Sequence, residues 1–292
     1  MTRSPFSERV RRGFARRVDA YESMALLQRG MAWRLAGLAA RHLRAGALPR
    51  GPCADLGAGT GLVGRALAAW GVGLSAPLAQ LDLCSEALER NKAGPTLPWD
   101  LNHGLPGHLR GASLLTSSFA LQWLDDPAAA VALWADHLAP GGALLLSVPT
   151  AGSFPEWRQA ARQARLPCSA LPLPAADALL RASSAAGLER IEARLLTFFR
   201  PSHRDWPPAA PAASAASAAS APQGRTGRPP ASGALRALRA LRAIGADATP
   251  QASLSPGDWR RLLAAWPPGG ALSWEVLVLL ARQPSAVPPC AW

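Results

Sequence analysis

The sequence predicts an α/β protein built on a mostly parallel, seven-stranded sheet with helices on both faces. Three observations point there. Short apolar segments alternate with helical ones along most of the 292 residues, the pattern that a sheet with crossover helices requires. One joint, Asp55-Leu-Gly-Ala-Gly-Thr-Gly61, is a glycine-rich turn between a strand and a helix. The composition suits a folded core: 49% of residues are hydrophobic and 17% charged, against about 25% charged in an average domain.

The elements follow in order. Residues 6–45 read as helix, because Phe14, Val18, Tyr21, Leu26, Leu35 and Leu38 recur at spacings near three and four before Gly46 and Pro49 end the segment. Cys53–Leu56 is the first strand, and a helix starts near Leu62. Strands at Pro77–Leu83, Thr96–Trp99, Ser113–Ser117 and Ala143–Val148 enclose helices at Ser85–Asn91 and Asp126–Leu138, the latter with Asp126 as cap and Pro127 in its first turn. A helix at Ala175–Ala186 and strands at Arg190–Phe199 and Ser273–Ala281 complete the pattern. Between those last strands, residues 207–233 are almost only Ala, Ser, Pro and Gly, with no large apolar side chain to bury. They predict disorder. Helices resume at Ala234–Ile244 and Pro256–Ala265. The expected division is therefore 1–48 helical, 49–206 core, 207–233 insert, 234–270 helical insert, and 271–292 last strand and tail.

The net charge is +12, which favours acidic partners. The longest apolar runs, Gly142–Val148 and Val276–Ala281, fall short of the roughly 18 residues that span a bilayer. The arginine-rich start is interrupted by Glu8, Asp19 and Glu22, unlike a transit peptide, so a cytoplasmic protein without a membrane partner is expected. Four cysteines form no Cys-x-x-Cys pair and five histidines show no ligand spacing. No disulfide scaffold and no metal are expected.

The glycine turn carries the chemistry. Glycines there let a ligand approach the backbone closely. Gly59-x-Gly61-x-x-Gly64 also matches a dinucleotide fingerprint, but in that fold the first glycine follows the strand directly. Gly57 holds that place here, and Asp55 adds an acid that would repel a pyrophosphate and attract a cation. The pattern Asp-x-Gly-x-Gly-x-Gly resembles the first motif of the class I S-adenosylmethionine methyltransferases, a Rossmann-like family. Asp82 at the end of the second strand, Asp100-Leu101 after the third, and Leu138-Ala-Pro-Gly-Gly-Ala before the fifth fall where that family has its landmarks. The resemblance implies S-adenosylmethionine held by Asp55, Gly57, Gly59, Gly61, Asp82, Asp100, Leu101 and Ser117.

A narrower resemblance covers about residues 8–283 apart from the insert. Phe14-Ala-Arg-Arg-Val-Asp-Ala-Tyr21 with Leu27-Gln28, Ser117-Ser-Phe-Ala-Leu-Gln-Trp123, Gly152-Ser-Phe-Pro-Glu156, Leu238–Ala246 and Leu262–Trp266 are similar to segments of the malonyl-acyl-carrier-protein O-methyltransferases of biotin synthesis. It implies methyl transfer to the free carboxylate of a malonyl thioester, with an acidic acyl carrier protein as partner; a monomer is expected, although no residue pattern speaks to oligomeric state. The opening helix, with Tyr21 and Gln28, is then a lid. Arg239 is the expected carboxylate anchor, Arg236 and Arg242 are its helical neighbours, and Trp123 is a pocket wall. Ser113 replaces the aspartate often found at the start of the family's fourth strand. Two alternatives stand beside this reading: a methyltransferase for another small carboxylic acid, and an assembly or hydroxylase protein on the same fold. A nucleic-acid methyltransferase is disfavoured, because no RNA-binding module or Asn/Asp-Pro-Pro-Tyr motif is present.

Overall fold

The computed structural model describes residues 4–43, 48–200, 234–235, 238–239, 241–242, 254–268, 270 and 272–285. The strands are β1 (Cys53–Leu56), β2 (Leu78–Asp82), β3 (Thr96–Pro98), β4 (Ala112–Ser118), β5 (Leu138–Pro149), β6 (Glu189–Arg200) and β7 (Leu272–Arg282). They form one sheet in the order β3-β2-β1-β4-β5-β7-β6. The first five run parallel, and β7 lies antiparallel between β5 and β6. The order reverses between β1 and β4, which opens a crevice at their carboxyl ends where ligands bind in such folds.

The helices are α1 (Pro5–Ala15), α2 (Val18–Met24), α3 (Leu26–His42), α4 (Leu62–Ala69), α5 (Ser85–Leu88), α6 (Pro127–Asp136), α7 (Pro155–Gln163), α8 (Ala176–Ala185) and α9 (Pro256–Ala264). Alternation along the buried strands feeds two cores. Leu114 and Leu145 join Met31 and Leu35 of α3 and Val63 and Leu67 of α4 on one face. Leu115 and Leu144 join Val131 and Trp134 of α6 and Leu179 of α8 on the other. Asp126 caps α6 as expected, accepting from the N–H groups of Ala128 (3.0 Å) and Ala129 (2.9 Å).

Two expectations change, and one element is new. The single helix over 6–45 is three helices, interrupted at Arg16–Arg17 and at Ala25. One straight helix of that length would reach about 60 Å, whereas the break at Arg16–Arg17 folds α2 back so that Phe14 meets Tyr21 edge-on at 6.2 Å. Strand β5 begins at Leu138 rather than Ala143, because Ala112 pairs with Leu138 across a register shift and Gly142 accepts from the N–H of Gln283 at 2.8 Å. Helix α7 had no sequence expectation. The 207–233 insert and Arg236 lie outside the described residues. Among the described residues, no helix is long and apolar enough to cross a membrane.

Candidate functional site

The turn after β1 is shaped by what lies beneath it. Gly57, Gly59 and Gly61 all have positive φ, at 78°, 52° and 86°, which favours glycine. A Cβ on Gly57 would stand 2.1 Å from Cβ of Ala120, and one on Gly61 would stand 2.3 Å from Oδ1 of Asn91. A Cβ on Gly59 would meet nothing within 4 Å, because Gly59 borders a cavity. The N–H groups of Gly57 and Ala58 both donate to the carbonyl of Leu81 at 2.8 Å, and that of Gly61 donates to Ala58 at 2.9 Å. The N–H of Gly59 donates to Oδ2 of Asp82 at 2.7 Å. These donors are occupied within the protein, so this loop is not a phosphate cradle.

The cavity is acidic instead. Asp55, at 1% exposure, has both carboxylate oxygens without a hydrogen-bond partner. Burial, reinforced by the nearby charge of Asp82, pushes its carboxyl up to about 8. Asp82 is also pushed above the usual carboxylate range by burial, although the N–H groups of Cys84 and Gly59 oppose the shift. Its Oδ1 accepts from Cys84 at 2.7 Å, so Asp82 both caps the turn before α5 and faces the cavity. Asp100 accepts from the N–H of Asn102 at 3.0 Å through Oδ1, while its buried Oδ2 is unpartnered.

Helices α1 and α2 cover the mouth. Tyr21 and Gln28 line the cavity with Trp123, whose ring meets Phe14 edge-on at 5.7 Å. The indole N–H of Trp123 is buried and has no partner. The cover is tied at four points. Arg11 bridges Glu8 and Glu86, each at 3.0 Å, and Glu22 pairs with Arg65 at 2.7 Å. Asp19 pairs with Arg90, and the amide of Asn102 donates to Ser7 at 3.1 Å. Burial, with Asp82 and Glu22 nearby, raises the Tyr21 hydroxyl far above its ordinary value, so it stays a neutral donor.

Asp55, Gly57, Gly59, Asp82, Asp100, Leu101, Tyr21, Gln28 and Trp123 thus meet at one cavity. Four expected residues do not. Ser117 is buried and donates to the carbonyl of Leu56 at 2.7 Å, which ties β4 to β1; its neighbour Ser118 lines the cavity. Gly61 serves packing against Asn91 rather than the lining. Arg239 and Arg242 are exposed and are not among the lining residues, whereas Arg11 is. Asn91 had no motif to mark it. Its amide donates to the Gly59 carbonyl at 3.1 Å and to Gln80 at 3.0 Å, and its Oδ1 accepts from Ala93 at 2.9 Å. Asn91→Ala strips these bonds and leaves buried groups unpaired. The expected cost is about 1–3 kcal/mol, with several-fold weaker cofactor binding and kcat changed less than twofold. Thermal melts and cofactor titration check it, and wild-type affinity would remove Asn91 from the loop's support.

A family model described as a methyltransferase domain matches residues 28–193. This chain belongs to the methyltransferase-domain family. Among curated relatives, the biotin biosynthesis bifunctional protein BioCD of Bordetella avium is 37% identical over 161 residues, covering 51% of this chain and 33% of that protein. The malonyl-[acyl-carrier protein] O-methyltransferase of Serratia marcescens is 30% identical over 154 residues, covering 51% of this chain and 58% of that protein. The matched regions thus span a third to little more than half of these relatives. A solved Bacillus halodurans protein, provisionally described as a methyltransferase, superposes with a TM-score of 0.51 at 16% identity over 85% of this chain and 99% of its own. That likeness shows the fold alone.

For a methyltransferase, the donor set fits S-adenosylmethionine. That molecule carries a sulfonium and an ammonium, and the methyltransferase cavity offers unpartnered carboxylate oxygens on Asp55 and Asp100. Gly59 leaves room where a side chain would intrude. Among the described residues, no group of three or more His, Cys, Asp or Glu could hold a metal ion.

Proposed function

We propose that this methyltransferase esterifies the free carboxylate of malonyl-acyl carrier protein, the reaction named by the Serratia relative. The observation that carries the reading is convergence. Tyr21 and Gln28, from the opening segment, and Trp123, about a hundred residues later, belong to segments that resemble that family and line the same cavity as the cofactor acids Asp55 and Asp82.

The chemistry asks little of a base. A carboxylate with a reference pKa near 4 is already ionised at neutral pH. Bound in the cavity, S-adenosylmethionine would supply an electrophilic methyl group. The protein's task is to align the acceptor oxygen and keep water out, and alignment alone supplies roughly 7–11 kcal/mol in favourable systems. Phe14, Tyr21 and Trp123 form an aromatic cover that dries the site. The neutral Tyr21 hydroxyl, the Gln28 amide and the unpartnered Trp123 N–H are the donors for the acceptor carboxylate, a role first expected of Arg239. Asp55 and Asp82 belong to the cofactor side, because carboxylates repel a carboxylate acceptor.

Trp123→Phe keeps an aromatic ring and removes the N–H donor with part of the indole. The expected result is an acceptor kcat/KM lower by about tenfold, the scale of one hydrogen bond to a charged group, with unchanged cofactor affinity. Unchanged kcat/KM would take the indole out of acceptor binding. The reading itself is tested by transfer of labelled methyl to malonyl-carrier protein, malonyl-coenzyme A and other small carboxylates. Label in a malonyl methyl ester, faster on the carrier form, supports it. Label only in another acid would overturn the acceptor and keep the methyltransferase.

A further inference from the structure

A second concavity lies away from the methyl-transfer cavity, between α3, the end of α4 and strand β6. Its floor is Gly37 with Leu196 and Val278, and its walls carry Trp33, Trp70, Arg34, Arg41 and Arg194. Two features set it apart from an ordinary basic surface. Trp33 and Trp70 are 52% and 42% exposed and meet at a tilt, 5.5 Å between ring centroids. Paired, half-exposed indoles are uncommon on a surface that nothing covers, and Trp and Arg dominate the energetics of binding surfaces. The charge is also one-sided. Helix α3 carries Arg29, Arg34, Arg41 and His42 and no acid. Among the described lining residues the one acid, Glu192, is already engaged by His42 at 3.0 Å and Arg194 at 2.6 Å, with Arg41 at 3.9 Å. Arg34 has no ion pair among the described residues.

Position matters as well. Gln28, in the first turn of α3, lines the methyl-transfer cavity. Arg34 lies six residues on, about 9 Å along the helix, and Arg41 about 20 Å. One helix therefore contributes to both concavities, with Arg34 in the groove about 9 Å along α3 from a residue that lines the methyl-transfer cavity.

We infer that this groove docks the acidic face of the acyl carrier protein that presents the acceptor, with Arg34 as its cationic contact and the Trp33–Trp70 pair as its apolar anchor. This inference rests on the reading under Proposed function. It differs from the first expectation, which placed the carrier against the helical insert at Arg239.

The test is direct binding of fluorescently labelled apo-acyl carrier protein to the full chain, which needs no turnover. Arg34→Glu and, separately, Trp33→Ser are each expected to raise Kd at least fivefold, and added salt to weaken the wild-type complex. Arg239→Glu is expected to change Kd less than twofold. Cofactor affinity should stay at the wild-type value in all three, since these side chains are remote from the cofactor acids, and the melting temperature should stay there in the two arginine variants and fall by a few degrees at most in Trp33→Ser, which loses the contact with Trp70. Wild-type Kd in both groove variants, or a loss confined to Arg239→Glu, overturns the groove. Groove-dependent carrier binding without label in any malonyl acceptor upholds the docking surface and overturns the acceptor assignment instead.

Discussion

Replacing Asp55 with asparagine is expected to stabilise the ligand-free protein at pH 8 and to remove the largest part of the pH dependence of cofactor binding, leaving that of Asp82. The carboxyl is buried, both its oxygens lack partners, and burial beside Asp82 pushes it up to about 8. The unfolded value is near 4. The folded state therefore holds the extra proton between about pH 4 and 8, and stability falls as pH rises through that window, by at most about 1.4 kcal/mol per pH unit. Asparagine does not titrate. The difference in melting temperature between Asp55→Asn and the wild type should be small at pH 5 and grow to several degrees at pH 8. Cofactor affinity moves the other way. A cationic ligand needs the ionised carboxylate, so between pH 6 and 7.5 wild-type affinity should rise by close to tenfold per pH unit, with release of a proton on binding. Titrations in buffers of different ionisation enthalpy would count that proton. Affinity that is flat over this range would mean that Asp55 plays no part in holding the cation. The substitution thus separates a site that costs stability from one that contributes to it.

Much of this was legible in the sequence because the informative residues sit at strand ends. Strand β1 was found to the residue, and Asp55, Asp82 and Asp100 each mark where a parallel strand delivers its side chain to the same crevice. Spacing along the chain carries that information. Contacts across the chain are a different matter. Asn91 supports Gly59 and blocks any side chain at Gly61, yet nothing in Glu89-Arg-Asn-Lys-Ala93 announces it. Ser117 and Ser118 look alike in sequence, and only the strand's pleat decides that Ser117 bonds Leu56 while Ser118 faces the cavity. The same holds for Gly152-Ser-Phe-Pro-Glu156. Its terminal carboxylate accepts from the Ser273 N–H at 3.1 Å and braces the start of β7, a structural duty that a local motif cannot reveal. The opening helix shows the limit most clearly. Periodicity gave its apolar face, but the breaks at Arg16–Arg17 and Ala25 answer to the cavity that α1 and α2 cover.

Gly57→Ala is expected to damage both halves of the site at once. The residue has φ of 78°, and its new Cβ would stand 2.1 Å from Cβ of Ala120. The left-handed backbone alone costs an alanine roughly 1–2 kcal/mol, and the overlap adds to it, so a loss of about 2–4 kcal/mol in stability is expected. Ala120 cannot yield freely. It follows Phe119, itself at φ of 56°, and accepts the N–H of Trp123 at 2.9 Å. Pressure from the cofactor turn is therefore passed to the Trp123 wall, and both cofactor affinity and acceptor kcat/KM should fall by more than tenfold. Gly59→Ala provides the contrast. Its Cβ meets no protein atom within 4 Å, so stability should fall only by the roughly 1–2 kcal/mol of its left-handed backbone, less than at Gly57, while cofactor affinity falls because the added methyl stands at the cavity. The double substitution Gly57→Ala with Ala120→Gly removes the overlap but not the backbone strain. Recovery of about half the lost stability, measured as a coupling energy between the two positions, would identify the contact as the cause. Equal losses in the single and double variants would assign the whole effect to the backbone of the turn.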